Sequence, residues 1–398
     1  VFAFHDLSEM DLSGRNLTEA DFTGACLDET DLSESQLNSA CFAGASMSRA
    51  NLAGASLRRA NLSGTMLEGA NLIGANLSEA DMREGGAKAG RHTSSFRAFP
   101  GNLGPTRLST ALLSSANLEG AKMPGLEAVE ADFSLAILKR CDLSDARLMS
   151  SNFSGANLER ANLTQSNLSN ANLRDSVLVG ANCENALLHD ADRTGALTDA
   201  LAGKALKDLP QSIAKILSAH NVWVESEGCD GQAADLTNVD LRSITNLTHR
   251  NLNGLLAPGA VLYGLDLSGA QLEGAQLEGA DLRSACLHRA NLRGANLKAA
   301  KLDNADLRDA DLSPLLISAD RLIPTRLEQA DARYADFRGA ELRQAVFDDA
   351  DLAYANLTGA NLRSTNFRGA MLQSIKLSFD ASVAGNFDET RCDSTAVA

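Results

Sequence analysis

The sequence predicts an all-β solenoid, a chain wound repeatedly around a thin core of Leu and Ala. Three observations predict it. An apolar residue recurs at every fifth position, a small residue sits two places before most of these, and only 4% of the 398 residues are aromatic, with one Trp. A core of this size normally draws on large aromatic side chains. One built from Leu and Ala must be narrow and filled one small layer at a time.

The apolar series runs Leu7, Leu12, Leu17, Phe22, Leu27, Leu32, Leu37, Phe42, Met47, Leu52 and onward in step to Met82. The small partners include Ala20, Ala25, Thr30, Ser35, Ala40, Ala45 and Ala50, with Asp or Asn between, as at Asp21, Asp31 and Asn51. Gly often closes the unit, as at Gly24, Gly44 and Gly54. Residues two apart on a strand face one side. Ala and Leu therefore point inward while Asp or Asn points out. Five is odd, so the last two residues of each unit must turn the chain, and Gly, Ser, Asn and Glu suit such corners. Turning repeatedly in one sense makes a tube. Each stacked Leu contributes roughly 1.5–3 kcal/mol on burial. An amphipathic α-helix needs a period near 3.6, and leucine-rich repeats need 20–29 residues per unit; neither matches.

The units Ala60-Asn61-Leu62-Ser63-Gly64, Ala290-Asn291-Leu292-Arg293-Gly294 and Ala355-Asn356-Leu357-Thr358-Gly359 resemble the pentapeptide-repeat family, whose motif is A(D/N)Lxx. The resemblance covers roughly three-quarters of the chain. It implies a right-handed quadrilateral β-helix with four units per coil, which periodicity alone does not supply.

Block one occupies residues 1–84, and a Gly/Pro-rich insertion loop spans 85–107. Block two occupies 108–198, with a weak point at Met123-Pro124-Gly125, Cys141 in an Ala-type inward place and Cys183 in a central one. Residues 199–233 form a joint or cap. There Pro210 suits a first helical turn, and Leu209, Ile213, Ile216, Leu217 and His220 share a face. Val222-Trp223-Val224 is expected to follow that helix, which is placed to cap the end of block two or the start of block three. Block three occupies 234–378, slips one residue before Leu247 and is rough between Pro314 and Pro324. A polar tail, 379–398, follows. About fifteen coils at ~4.8 Å each would stack to roughly 70 Å. Two solenoid bodies joined at the helical element are expected, one from blocks one and two and one from block three; a single rod with a bulging helical insert is the alternative.

Net charge is −15 with seven Cys, none in CxxC spacing. The acidity disfavours direct nucleic-acid binding. The odd thiol count points to a reducing, cytoplasmic setting with Cys as packing residues. No apolar run reaches the ~18–20 residues of a membrane span, so no membrane insertion is expected. The opening Val-Phe-Ala-Phe-His-Asp lacks a signal-peptide pattern.

No catalytic, cofactor-binding or metal-ligating constellation is expected. His5, His92, His189, His220, His249 and His288 are scattered without ligand spacing, and the repeat itself accounts for the carboxylates. The expected function is a non-enzymatic scaffold that displays charged faces to a protein partner; self-association is left open. Candidate partner-binding residues are Arg91, Phe96, Arg97 and Phe99 in the insertion, where aromatics beside Arg can anchor an interface. A basic band contributes Arg283, Arg289, Arg293 and Lys298, with His288 inside it. A smaller basic stretch holds Arg49, Arg58 and Arg59. The resemblance also implies an alternative, because the family includes DNA mimics that bind a type II topoisomerase such as gyrase. Those proteins are shorter and dimerise through a C-terminal helix, for which the tail here carries no apolar stripe.

Overall fold

The computed structural model describes residues 1–85, 104–244, 246–318, 321–377 and 390. Two compact units emerge, Val1–Ala200 and Leu201–Ala398. Both are built from the same coil. Parallel bridges join each outward residue to one 20 positions on, as in Asp11↔Asp31↔Asn51↔Asn71. A turn of the helix therefore holds four pentapeptides, one per side. The Leu12 N–H donates to the Asp31 carbonyl at 2.7 Å, and the Asp31 N–H to the Met10 carbonyl at 2.9 Å. The small first residue and the apolar third residue of each repeat point inward: Ala50, Leu52, Ala161, Leu163, Ala295 and Leu297 are all buried.

The turn between repeats has a specific geometry. The fourth residue donates its N–H to the second-position Asx, as Ser13 does to Asp11 Oδ1 at 3.0 Å. The fifth residue is left-handed, φ +61° at Gly24 and +59° at Glu9. Only Gly adopts that region without a Cβ penalty, which explains the frequent closing Gly. Inward hydroxyls donate to carbonyls of their own repeat or, as Thr30 does to Leu7, of the preceding coil. Thr65 donates to the Leu62 carbonyl at 2.7 Å and Ser166 to that of Leu163 at 2.7 Å.

In the first unit the bridge partner of Met66 is Arg107, 41 positions on instead of 20. The insertion leaves the stack through a neck closed by an antiparallel Gly85↔Gly104 bridge. Coils on either side of it stack directly, with Leu72 N–H 2.7 Å from the Leu112 carbonyl. Inward rings stack at the coil spacing: Phe22 on Phe42 and Phe133 on Phe153, both at 4.9 Å. The weak point at Met123-Pro124-Gly125 proves regular, because the next repeat reverses its inward pair. Leu126 takes the small place and Ala128 the large one, both fully buried. Cys141 is buried as expected, whereas Cys183 is half-exposed on the final coils, where Arg193 occupies a central place and faces solvent.

In the second unit, a 3-10 turn Leu206–Asp208 precedes helix α1, Ile213–Glu225. The helix starts later than the sequence suggests. Ser212 is its N-cap residue, Pro210 stands outside it, and Val222-Trp223-Val224 lies within it. The N-cap Ser212 is extended in backbone, which sets the helix start beyond Pro210. Leu206, Leu209, Ile213, Ile216 and Leu217 pack on the core of block three. His220 is fully buried. Its Nδ1 accepts the Ala234 N–H at 3.0 Å, its ring stacks on Trp223, and burial pushes its pKa down. The one-residue slip is present: Asp240 pairs 21 on with Val261, and Asn246 pairs 20 on with Asp266. The rough patch is a hairpin, β1 Leu315–Ser318 and β2 Arg321–Ile323. It displaces the bridge of Asn296 to Arg326, 30 positions on.

Candidate interaction surface

Fourth- and fifth-position side chains stand at the corners, and each corner repeats every 20 residues. Many charges that meet across neighbouring coils are therefore 20 or 21 apart in the chain. Arg49 lies 3.4 Å from Glu29 and Lys139 3.3 Å from Glu159, while Arg107, in the second place, lies 3.4 Å from Glu127. One corner of the first unit carries Arg58 and Arg59 on Glu79, at 3.0 and 2.7 Å, then Arg140 on Glu119. Arg58, Glu79, Glu119 and Arg140, with Asn76, Ser78, Asn117 and Gly120, line an open groove of about 610 Å³. Hydrogen bonds from Arg59 and Arg58 hold the Glu79 carboxyl below its usual range.

Arg in the fourth place behind an Asp makes a flat two-point fork onto it. Arg308 reaches Asp306 at 2.8 and 2.7 Å, and Arg83 reaches Asp81 at 2.8 and 2.6 Å. The guanidinium geometry matches a carboxylate in this way. One corner of the second unit goes further and buries its charges. Arg333 donates to Asp303 at 3.0 Å, pairs with Asp331 and lies 3.6 Å from Asp351, with its side chain only 17% exposed. Burial, and then the Asp331 carboxylate, push the Asp303 carboxyl up to about 8, against the pull of Arg333 and Arg283. Tyr334 and Tyr354 stack 4.9 Å apart beside this cluster, both at positive φ, which is unusual for bulky side chains.

The predicted basic band is not one surface. Asp281, Cys286, Asn291 and Asn296 begin four different columns. Arg283, Arg289, Arg293 and Lys298 consequently stand at four successive corners of one coil. Arg283 is not exposed at all in the sense expected: its side chain is 5% exposed and forked onto Asp281 at 2.6 Å. Arg289 is largely exposed and 3.9 Å from Asp309. Arg293 donates to the Pro314 carbonyl at 3.3 Å and lies 3.6 Å from Glu273. Lys298 is half-buried. Arg91, Phe96, Arg97 and Phe99 lie outside the described residues. The signal that sequence reasoning missed is the spacing of 20 or 21, at which Arg49, Arg58 and Arg59 already have their partners.

Outward Asx residues also form ladders, with Asn71 Nδ2 donating to Asn51 Oδ1 at 3.1 Å and Asn51 Nδ2 to Asp31 Oδ1 at 3.1 Å. Cys26, Cys41, Cys141, Cys183, Cys229 and Cys286 are free thiols. Burial pushes the Cys141 thiol far up, leaving it un-ionised and inert. Among the described residues no cluster of His, Cys, Asp and Glu could hold a metal, and no helix is long and apolar enough to cross a membrane.

The family profile described as pentapeptide repeats matches eight copies, at residues 16–52, 45–83, 129–165, 166–196, 245–279, 275–313, 322–349 and 345–378. No curated protein matches. Among solved structures, the chain is similar to the pentapeptide repeat protein Rfr23 from the cyanobacterium Cyanothece 51142, with 32% identity over 34% of this chain and 91% of that one, TM-score 0.29. HetL from Nostoc sp. strain PCC 7120, a pentapeptide repeat protein involved in heterocyst differentiation regulation, aligns at 20% identity over 98% and 89%, TM-score 0.18. QnrB1, a plasmid-mediated fluoroquinolone resistance protein, aligns at 17% identity over 49% and 89%, TM-score 0.32. With eight matched copies spread over both units and a 20-residue coil of four sides, the chain belongs to the pentapeptide repeat family and folds as right-handed quadrilateral β-helix.

Proposed function

We propose that this protein is a non-enzymatic interaction scaffold whose solenoid corners present charged columns to a protein partner. One observation carries the reading: most corner ion pairs are solvent-exposed and side by side along a rigid backbone, as with Arg59–Glu79 and Arg289–Asp309. Such pairs contribute only about 0–1 kcal/mol each. They can exchange partners at little cost while the β-helix holds them in register. The free thiols fit a reducing, cytoplasmic setting. Cross-linking of the intact chain in cell extract, compared with a chain lacking residues 85–106, tests the reading and the insertion's candidate residues together. A saturable partner cross-linked to corner residues is expected. The absence of any saturable partner would remove the scaffold.

A second reading, a DNA-mimicking inhibitor of gyrase, is favoured by the net charge of −15. Arg at corners of both compact units, such as Arg59 and Arg289, opposes it, because a uniform polyanion is not presented. Failure to inhibit supercoiling or to protect gyrase from drug at micromolar protein excludes the mimic.

A further inference from the structure

The β1–β2 hairpin is the least solenoid-like feature of the second unit, and its chemistry is unlike the rest of the surface. Pro314 and Pro324 bracket it, and its strands pair antiparallel with Leu315 opposite Ile323 and Leu316 opposite Leu322. Its root rests on the coils below: a Cβ on Gly294 would lie 2.5 Å from Leu315 Cβ, and one on Gly274 3.6 Å from its Cδ2. Beyond the root the aliphatic side chains face water. Leu316, Ile317 and Leu322 are 54%, 53% and 53% exposed. A short two-stranded sheet is marginal alone and leaves outer edges able to accept another strand.

Exposed basic side chains flank the hairpin on one side. Asp311 bridges to Glu341 and Glu341 to Asn361, so Arg343 and Arg363 stand one and two coils beyond the hairpin's root, in the same corner column. Both are exposed, as is Arg321 on β2. None of the three makes an ion pair among the described residues, whereas Arg308, Arg333 and Arg338 fork onto carboxylates. The difference has a local cause. Arg363 follows Asn361 in place of Asp, and Glu341, before Arg343, is occupied by Asn361 at 2.7 Å.

We infer that this hairpin and its flanking Arg343 and Arg363 form a docking site for an extended partner segment in which aliphatic and acidic residues alternate. The segment adds as a strand beside the hairpin. Its aliphatic side chains cover Leu316 and Leu322, which stand opposite each other across the hairpin, and its carboxylates meet Arg321, Arg343 and Arg363. Main-chain bonds give affinity in such strand addition and alternate side chains give specificity. The inference rests on the scaffold reading and names the partner's chemistry.

The test is fluorescence anisotropy of the full chain with a labelled peptide alternating Val and Glu, beside one alternating Val and Lys. Binding of the Glu peptide alone is expected, weakening as salt rises. Replacing Leu316 and Leu322 together by Ser should weaken it about tenfold or more, and Arg343→Gln with Arg363→Gln about threefold. The Arg variants lie on exposed corners and keep the test valid if the Ser variant does not fold. Equal binding of the two peptides, or equal binding by parent and both variants, overturns the site. So does hairpin-dependent sedimentation with phosphatidylserine vesicles without peptide binding, or hairpin-dependent dimerisation in ultracentrifugation. Partner cross-links mapping to other corners would overturn this site while leaving the scaffold reading intact.

Discussion

At the residue scale, each place in the repeat has one physical task. The third-position Leu fills the axis, the second-position Asx ties the corner, and the fifth residue turns left-handed. Leu292 is fully buried, in a column with Leu272 and Leu312. Leu292→Ala is expected to cost about 2–5 kcal/mol, the usual range for emptying a packed site. Leu292→Asp leaves a carboxylate in a dry core and should uncouple neighbouring coils, lowering the thermal midpoint well beyond the Ala variant. A melt identical to the parent would show that Leu292 does not face the axis. At Gly294, φ is +64° and the Leu315 Cβ leaves no room. Gly294→Ala should therefore loosen the hairpin, read as faster amide exchange in β1 with most coils unchanged.

At the scale of elements, two buried titrating groups give opposite pH dependences. His220 joins α1 to the first coil of block three through Ala234, and burial lowers its pKa below the ordinary 6.5. Above 6.5 the ring is neutral in folded and unfolded states alike, and the cap is at full strength. As pH falls below that value the unfolded state binds the proton first, so stability declines. Denaturant melts from about pH 7 to pH 5 should show this loss in the parent and less of it in His220→Gln. Asp303 runs the other way. Its carboxyl, ordinarily at 3.8, sits at about 8 in the folded state. Between those values the folded state keeps a proton that the unfolded state has released, so stability falls as pH rises through the window. Asp303→Asn should flatten that slope in melts between about pH 5 and pH 9.

At the scale of the whole molecule, the cores of Val1–Ala200 and Leu201–Ala398 are separate. In a solenoid each coil contacts mainly its neighbours, so a break in the core should be a break in cooperativity. Residues 1–200 and 201–398 expressed apart are each expected to melt cooperatively at a midpoint close to one seen in the full chain. Loss of both transitions would favour one interdependent rod. The exposed ion pairs should matter little to either transition, and moderate salt is expected to leave both midpoints nearly unchanged.

The inward and outward assignment needed nothing beyond the chain. A period of five with Ala and Leu two apart admits one strand facing, and Leu52, Leu163 and Leu297 are buried accordingly. The one-residue slip before Leu247 and the apolar face of α1 were legible for the same reason, since burial leaves a periodic mark on composition. The hairpin between Pro314 and Pro324 was legible only as lost phase. Which charges meet was decided by the coil. Linear runs such as Arg283 to Lys298 are carried around four corners, while Arg49 is returned to Glu29 and Arg59 to Glu79. Electrostatic contact depends on distance in space, and here that distance is set by a 20-residue register that a reading along the backbone does not measure.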